Sequence, residues 1–191
     1  MALTFRKLHP HFAGEVSPVD LRGVHDPETL AAIRGGMDEY ADMRAAYDAL
    51  PEQGKARLEG LRVHHSIAYS RQTLGFEFSE SEQDALKGAI HPLVRTIPRS
   101  KRRSLYVASH ASRIIDWPVP EGRLLLRDLI EHATRPEFVY RHQWRVGDLV
   151  IWDNRATMHR ARAFDDAKYR RELRRVTTLD VEQPSGVPRG A

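Results

Sequence analysis

The sequence predicts an α+β protein that is mainly β in its second half, and three observations predict it. From residue 91 onward, short runs such as His91–Ile97 and Ser104–Ala108 alternate in the period-two manner of half-buried strands. Two further β-rich runs, Phe138–Trp144 and Asp148–Asp153, flank a Val-Gly-Asp turn, which is the signature of a hairpin. Helical spacing is confined to a few segments, the strongest being Glu121–Thr134, where Leu124, Leu125 and Ile130 share one apolar face.

Taken in order, Leu3–Leu8 and Gly14–Leu21 read as short strands. Asp26 caps a helix with Pro27 at its first position, and that helix is expected to run to about Tyr40. Asp42–Leu50 and Glu52–Leu61 carry helical spacing and are separated by Pro51, which cannot continue the first helix. Val63–Tyr69 reads as a strand, and Ser79–Lys87 as a short helix opened by a Ser-Glu-Ser-Glu capping stretch. Leu173–Val181 closes the pattern as a last strand. The expected organisation is a single domain over residues 1–182 and a disordered tail over 183–191, where PSGVPRGA offers nothing to bury.

Composition narrows the function classes. With 41% hydrophobic and 29% charged residues the chain is ordinary for a globular protein, and no run is long and apolar enough for a membrane span. The absence of cysteine excludes disulfides and thiolate metal sites. A cytoplasmic protein without membrane partners is the expectation. The net charge of +4 suits an anionic small substrate. Aromatic residues do not interleave with the basic clusters, so a single-strand nucleic-acid platform is not expected.

None of the ten histidines has Asp or Glu two residues later, so no strand can present a His-x-Asp or His-x-Glu pair to one ion. His64 and His65 are adjacent and must point to opposite faces of a strand. The segment Trp144–Arg162 differs in texture: a turn delivers the apolar run LVIW into Asp153-Asn154-Arg155, and His159 follows. By itself this pattern also suits a sheet edge whose polar residues satisfy loop backbone. Arg171 and Arg175 stand four apart, on one face of either a strand or a helix, where two guanidiniums can converge on a carboxylate or sulfonate. A solvated basic strip fits the same spacing.

GDLVIWDNRATMH followed by RRELRRVTT resembles the C-terminal signature of the taurine/2,4-dichlorophenoxyacetate dioxygenases, and ADMRAAYDAL, HPLVRTIPRSKRRSLYVASHA and PEGRLLLRDLIEHATRPEFVYRHQW resemble family blocks in the same order. The resemblance implies a partial double-stranded β-helix, a cupin-like jelly roll, with flanking helices. It implies Fe(II) and 2-oxoglutarate as cofactor and co-substrate, with dioxygen and a small anionic substrate as partners. His159 matches the family's distal iron-ligand histidine, Arg175 the arginine that meets the remote carboxylate of 2-oxoglutarate, and Arg171 a nearby substrate-binding arginine. The spacing from His159 is slightly longer than the family's, which implies a loop insertion between Ala163 and Tyr169. Ile97 stands where the family pattern has a histidine.

The family also carries a long segment holding the His-x-Asp ligands and a 2-oxoglutarate-binding threonine, between the helix ending near Tyr40 and ADMRAAYDAL. Here EYADMRAAY runs straight through, so the resemblance implies an internal deletion near residue 41. The family chemistry couples decarboxylation of 2-oxoglutarate to hydroxylation of an unreactive C–H bond. With His159 as its one matching ligand, the isolated chain is expected to bind iron weakly or not at all. The alternative is a non-catalytic remnant or small-anion binding module. Exposed sheet edges would favour homo-oligomers.

Overall fold

A computed structural model describes residues 4–9, 14–17, 37–79, 82, 86–145, 148–165, 167–168, 173 and 175–177. Two short strands, β1 (Thr4–Lys7) and β2 (Gly14–Ser17), form an antiparallel pair. Next in the chain come β3 (Met37–Asp42), α1 (Met43–Asp48), α2 (Glu52–Leu58), β4 (Arg62–His65) and α3 (Ile67–Gln72). They are followed by β5 (Ala89–Pro92), β6 (Val94–Thr96), β7 (Arg103–Leu105), β8 (Ala111–Ile114), the 15-residue helix α4 (Val119–Ala133), β9 (Val139–Gln143) and β10 (Thr157–Ala161). The strands pair as β1-β2, β10-β3-β9, β5-β4-β8 and β6-β7, all antiparallel. The described chain is therefore sheet-rich with few helices.

Residues 37–40, expected at the end of a helix, are strand; the rest of that helix lies outside the described residues. Pairing on both sides explains the difference. Every residue of β3 except Met37 is buried between β9 and β10, and a strand satisfies its backbone through both neighbours at once. The strand ends at Asp42, fully buried, whose carboxylate accepts from the backbone N–H groups of Arg44 (2.9 Å) and Ala45 (3.3 Å) and so caps α1. Pro51 then separates α1 from α2, as expected.

Val63–Tyr69 divides differently from its expectation: β4 stops at His65, and Ser66 caps α3 by accepting from Tyr69 N at 3.1 Å. A hydroxyl that accepts an early helical N–H wins over the β-branched run before it. Glu82 and Ser79 make reciprocal capping contacts, Glu82 Oε2 accepting from Ser79 N at 2.9 Å; most of the helix expected there lies outside the described residues. The run His91–Ile97 is split at Leu93, whose side chain is fully buried between β5 and β6.

The core is one cluster joining the α1 and α4 faces to β4, β7 and β8. Leu125, Leu126, Leu129 and Ala133 supply the buried face of α4, close to the expected apolar stripe, although Leu124 points to solvent. Gly122 lets α4 sit against β8, because a Cβ there would lie 3.3 Å from the Ile114 backbone nitrogen.

Of two further expected strands, one is absent among the described residues and the other is described only in part. Residues 148–153 are irregular, and β9 pairs with β3 rather than folding back on them, so no hairpin forms. Residues 173 and 175–177 are likewise irregular and exposed; the remainder of Leu173–Val181 and the tail lie outside the described residues. Among the described residues no strand lies beside either segment, and an unpaired extended run has no ladder to join.

Candidate active site on the central sheet

The β10-β3-β9 sheet has two chemically distinct faces. On one, Ala41 lies between Met158 and Val139 and packs on the core. Further along that face Glu39 is buried beneath three arginines, with Arg141 Nε at 2.9 Å, Arg160 Nε at 2.7 Å and Arg162 at 3.8 Å. Burial alone would raise the Glu39 pKa, but hydrogen bonds and charge from these arginines outweigh it and hold the carboxyl below its ordinary value.

The other face carries the candidate site. Register places His159 directly opposite Tyr40, and Tyr40 opposite Tyr140 on the far strand. Asp38, two residues along β3, shares this face and stands between Ala161 and His142. The His159 ring stacks on Tyr40 with centroids 6.0 Å apart and planes 21° from parallel, and Trp152 lies 4.9 Å from His159 and 5.6 Å from Tyr40, so the three rings form one cluster. Trp152 is held in turn by an Nε1–H donated to Asn154 at 2.8 Å. The residue as a whole is exposed, while the ring surface against the two aromatics has lost its water. Desolvation is accordingly the largest cause of a lowered His159 pKa; the Asp38 carboxylate opposes it and the Arg175 guanidinium adds to it. The ring is therefore neutral at ordinary pH, the form that ligates a metal.

Arg175 is exposed, and its charge reaches the His159 ring. Arg171 lies outside the described residues. At the opposite end of this face, the His142 ring meets Trp144 edge-on at 4.7 Å and places Nε2 3.0 Å from the Asp148 carboxylate. Asp148 also accepts from Arg145 N at 2.9 Å; Gly147, in the expected turn, lies outside the described residues.

Sequence reasoning missed Asp38. It belongs to no motif, and only the strand register shows that its 7%-exposed carboxylate shares a face with His159. Asp153, the nearer acid in sequence, is instead occupied by Arg155 at 2.8 Å. Among the described residues no three His, Asp or Glu side chains are grouped so as to hold a metal ion. His159, Asp38 and His142 share this face, but they are not grouped as a two-histidine, one-carboxylate iron site.

His64 and His65 do point to opposite faces of β4. His64 lies 2.7 Å from Ser112 Oγ and donates from Nε2 to the Lys87 carbonyl at 2.8 Å. Gly88, at φ 78°, makes that approach possible, because a Cβ there would collide with the His65 carbonyl. His65 turns inward among His110 (4.9 Å), Tyr106 (5.1 Å) and His91 (5.7 Å). Burial, then the neighbouring His110, His91 and Arg95, push its pKa down to about 3.

Comparison with known proteins shows the family. The profile of the family described as "Taurine catabolism dioxygenase TauD, TfdA family" matches residues 20–177. An alpha-ketoglutarate-dependent 2,4-dichlorophenoxyacetate dioxygenase of Burkholderia sp. is 55% identical over 146 residues, covering 76% of this chain and 49% of its own length. An (S)-phenoxypropionate/alpha-ketoglutarate-dioxygenase of Sphingobium herbicidovorans is 37% identical over 163 residues, covering 81% of this chain and 56% of its own. The chain thus spans about half the length of these curated relatives. A crystal structure of AAD-2 in complex with Mn(II) and N-oxalylglycine superposes with a TM-score of 0.80 at 38% identity, covering 88% of this chain and 94% of that one. Among the described residues no helix is long and apolar enough to cross a membrane. On the match over residues 20–177 and the identity over three quarters of its length, this chain belongs to the TauD/TfdA family of dioxygenases.

Proposed function

We propose that this chain is the part of an iron(II)- and 2-oxoglutarate-dependent dioxygenase that anchors the co-substrate and supplies the distal metal ligand, acting on a small carboxylate, sulfonate or aryloxyalkanoate-like anion. The observation that carries it is the His159 imidazole packed in one cluster with Tyr40 and Trp152, neutral by desolvation, with the Arg175 guanidinium near enough for its charge to bear on it. Relatives whose names specify dichlorophenoxyacetate and phenoxypropionate support the anionic substrate class. The sheets described here are read as part of a double-stranded β-helix.

In this reading Arg175 pairs with the remote carboxylate of 2-oxoglutarate through its fixed fork of donors. Arg171, by its match to the family motif, takes the anionic group of the substrate. Tyr40 and Trp152 orient the His159 ring and exclude water where they pack on it. Iron(II), when bound, supplies the coupling of 2-oxoglutarate decarboxylation to dioxygen activation. The residues of this chain bind, orient and keep the site dry. A missing family segment would join the chain ahead of Met37, since β3 runs unbroken through Ala41 into Asp42.

A second reading, a non-catalytic small-anion binding module, is favoured by the lack of any three-residue metal group among the described residues. Equilibrium dialysis of 2-oxoglutarate, followed by a succinate assay with iron(II) under air, separates the two. Binding lost in Arg175→Ala together with succinate formation lost in His159→Ala supports the dioxygenase. Binding without succinate supports the module, and no binding at all removes both.

A further inference from the structure

The β5-β4-β8 sheet borders a cavity of about 390 Å³, lined from β4, α3, β8 and the first turns of α4. None of its lining residues belongs to the sheet that carries His159. We propose that this cavity binds a small organic phosphomonoester, with the phosphate held between Arg113 and Arg123. Charge is the first argument. Arg113 comes from β8 and Arg123 from α4, Lys87 adds a third cation to the wall, and among the described residues no acid lines the cavity. Neither arginine has a carboxylate within ion-pair distance, whereas Arg102, Arg103 and Arg141 each have one.

The donors are also held in place. Arg123 Nε donates to the Ser112 carbonyl at 3.3 Å, and its guanidinium lies over the Tyr69 ring at 5.0 Å. Those contacts leave its two terminal nitrogens for a ligand and reduce the side-chain entropy still to be lost on binding. Ser66, 8% exposed, accepts from Tyr69 N at 3.1 Å, so its own hydroxyl proton is left to donate into the cavity. His64 is wall and not donor: Nδ1 meets Ser112 Oγ at 2.7 Å and Nε2 donates to the Lys87 carbonyl at 2.8 Å. A planar carboxylate is served by one guanidinium fork, whereas a tetrahedral phosphate takes two forks from different directions and a hydroxyl besides. Two arginines reaching in from different elements therefore favour phosphate. The rest of the wall includes Ala68, Leu86 and Val119, and pockets for small organic molecules begin at roughly 300 Å³, so the phosphate carries an organic body.

The test is titration of the full chain with phenyl phosphate, inorganic phosphate and glutarate at fixed ionic strength, followed by amide NMR shifts. The expected result is one phenyl phosphate per chain, with saturable shifts centred on Ser66, Ser112, Arg113 and Arg123. Inorganic phosphate and glutarate are expected to bind more weakly. Arg113→Gln and Arg123→Gln, both at exposed positions, are each expected to weaken phenyl phosphate roughly 10-fold or more with an unchanged circular dichroism spectrum. Shifts that do not saturate, or that centre on Arg141, Arg160 or Arg175, overturn the site, and the wild-type shift map decides this without any variant. Unchanged affinity in both folded Gln variants overturns the role of the arginines. Glutarate binding as tightly as phenyl phosphate overturns the phosphate assignment, and inorganic phosphate binding as tightly overturns the organic body.

Discussion

His159 and Tyr40 face each other across two strands, rings 6.0 Å apart and only 21° from parallel, so packing orients the ring of the candidate metal ligand. Tyr40 is 3% exposed, and its truncation leaves a cavity in the centre of the sheet. Tyr40→Ala is expected to cost about 3 kcal/mol in a denaturant melt. The same change rehydrates the His159 ring, so its pKa moves up toward the ordinary histidine value in an NMR titration, because desolvation is the largest cause of its depression.

Arg175 contributes to that depression from the other direction. In the metal-free chain Arg175→Ala is expected to raise the His159 pKa and to abolish retention of 2-oxoglutarate in dialysis. Arg175→Lys restores the charge but not the fork, so it recovers the pKa effect and only part of the binding. An unmoved His159 titration in Arg175→Ala would show that the guanidinium does not act on this ring.

His65 makes stability depend on pH. Its folded pKa of about 3 lies below the ordinary 6.5, so protons favour the unfolded chain. The stabilisation is complete above pH 6.5 and is lost progressively as pH falls toward 3. Melting temperatures between pH 7 and pH 4 should fall, and the slope should flatten in His65→Leu, which removes the titrating group at the expense of repacking among His91, Tyr106 and His110.

Asp42 is a cap, an ion-pair partner and a fully buried acid at once. Asp42→Ala uncaps α1 and strands the Arg44 guanidinium, which Asp42 holds at 2.9 and 3.1 Å. A loss of about 2 kcal/mol is expected, at the upper end for an N-cap, measured by urea unfolding. Asp42→Asn should recover the cap and little of the ion pair.

Leu149 (60% exposed), Ile151 (84%) and Val176 (91%) leave large apolar side chains in water. Such surface promotes association when it is contiguous. Sedimentation velocity is expected to show concentration-dependent self-association that Ile151→Lys reduces without changing the circular dichroism spectrum.

The elements best read from sequence are those fixed by local chemistry. Asp42, Ser79 and Pro51 act within a turn or two of themselves, and α4 declares its apolar stripe over 15 residues. His159 and Arg175 were singled out through their match to a family motif, despite the longer spacing between them. What was not legible depends on partners distant in the chain. Met37–Tyr40 reads as helix until β9 and β10 are known to flank it, and Asp148–Asp153 reads as strand until no neighbour is found for it. Asp38 was invisible for the same reason: its relation to His159 exists only in the register. His65, His91 and His110 each looked like isolated residues, and only the fold gathers them.

The arrangement of the central sheet also sets when it can exist. Its middle strand is made first and its two neighbours last, and the ion pair between Glu39 and Arg160 spans 121 positions of chain. While the intervening residues are being synthesised, β3 has both edges unpaired and an acid awaiting its counter-charges. Closing so long a loop costs entropy before any contact repays it, so the sheet should be the slow step of folding. The helical segment from α1 to α4 has its own apolar core and can form earlier. A nascent chain halted before Thr157 would therefore display β3 as a sticky edge, and the candidate site would be the last part of the molecule to appear.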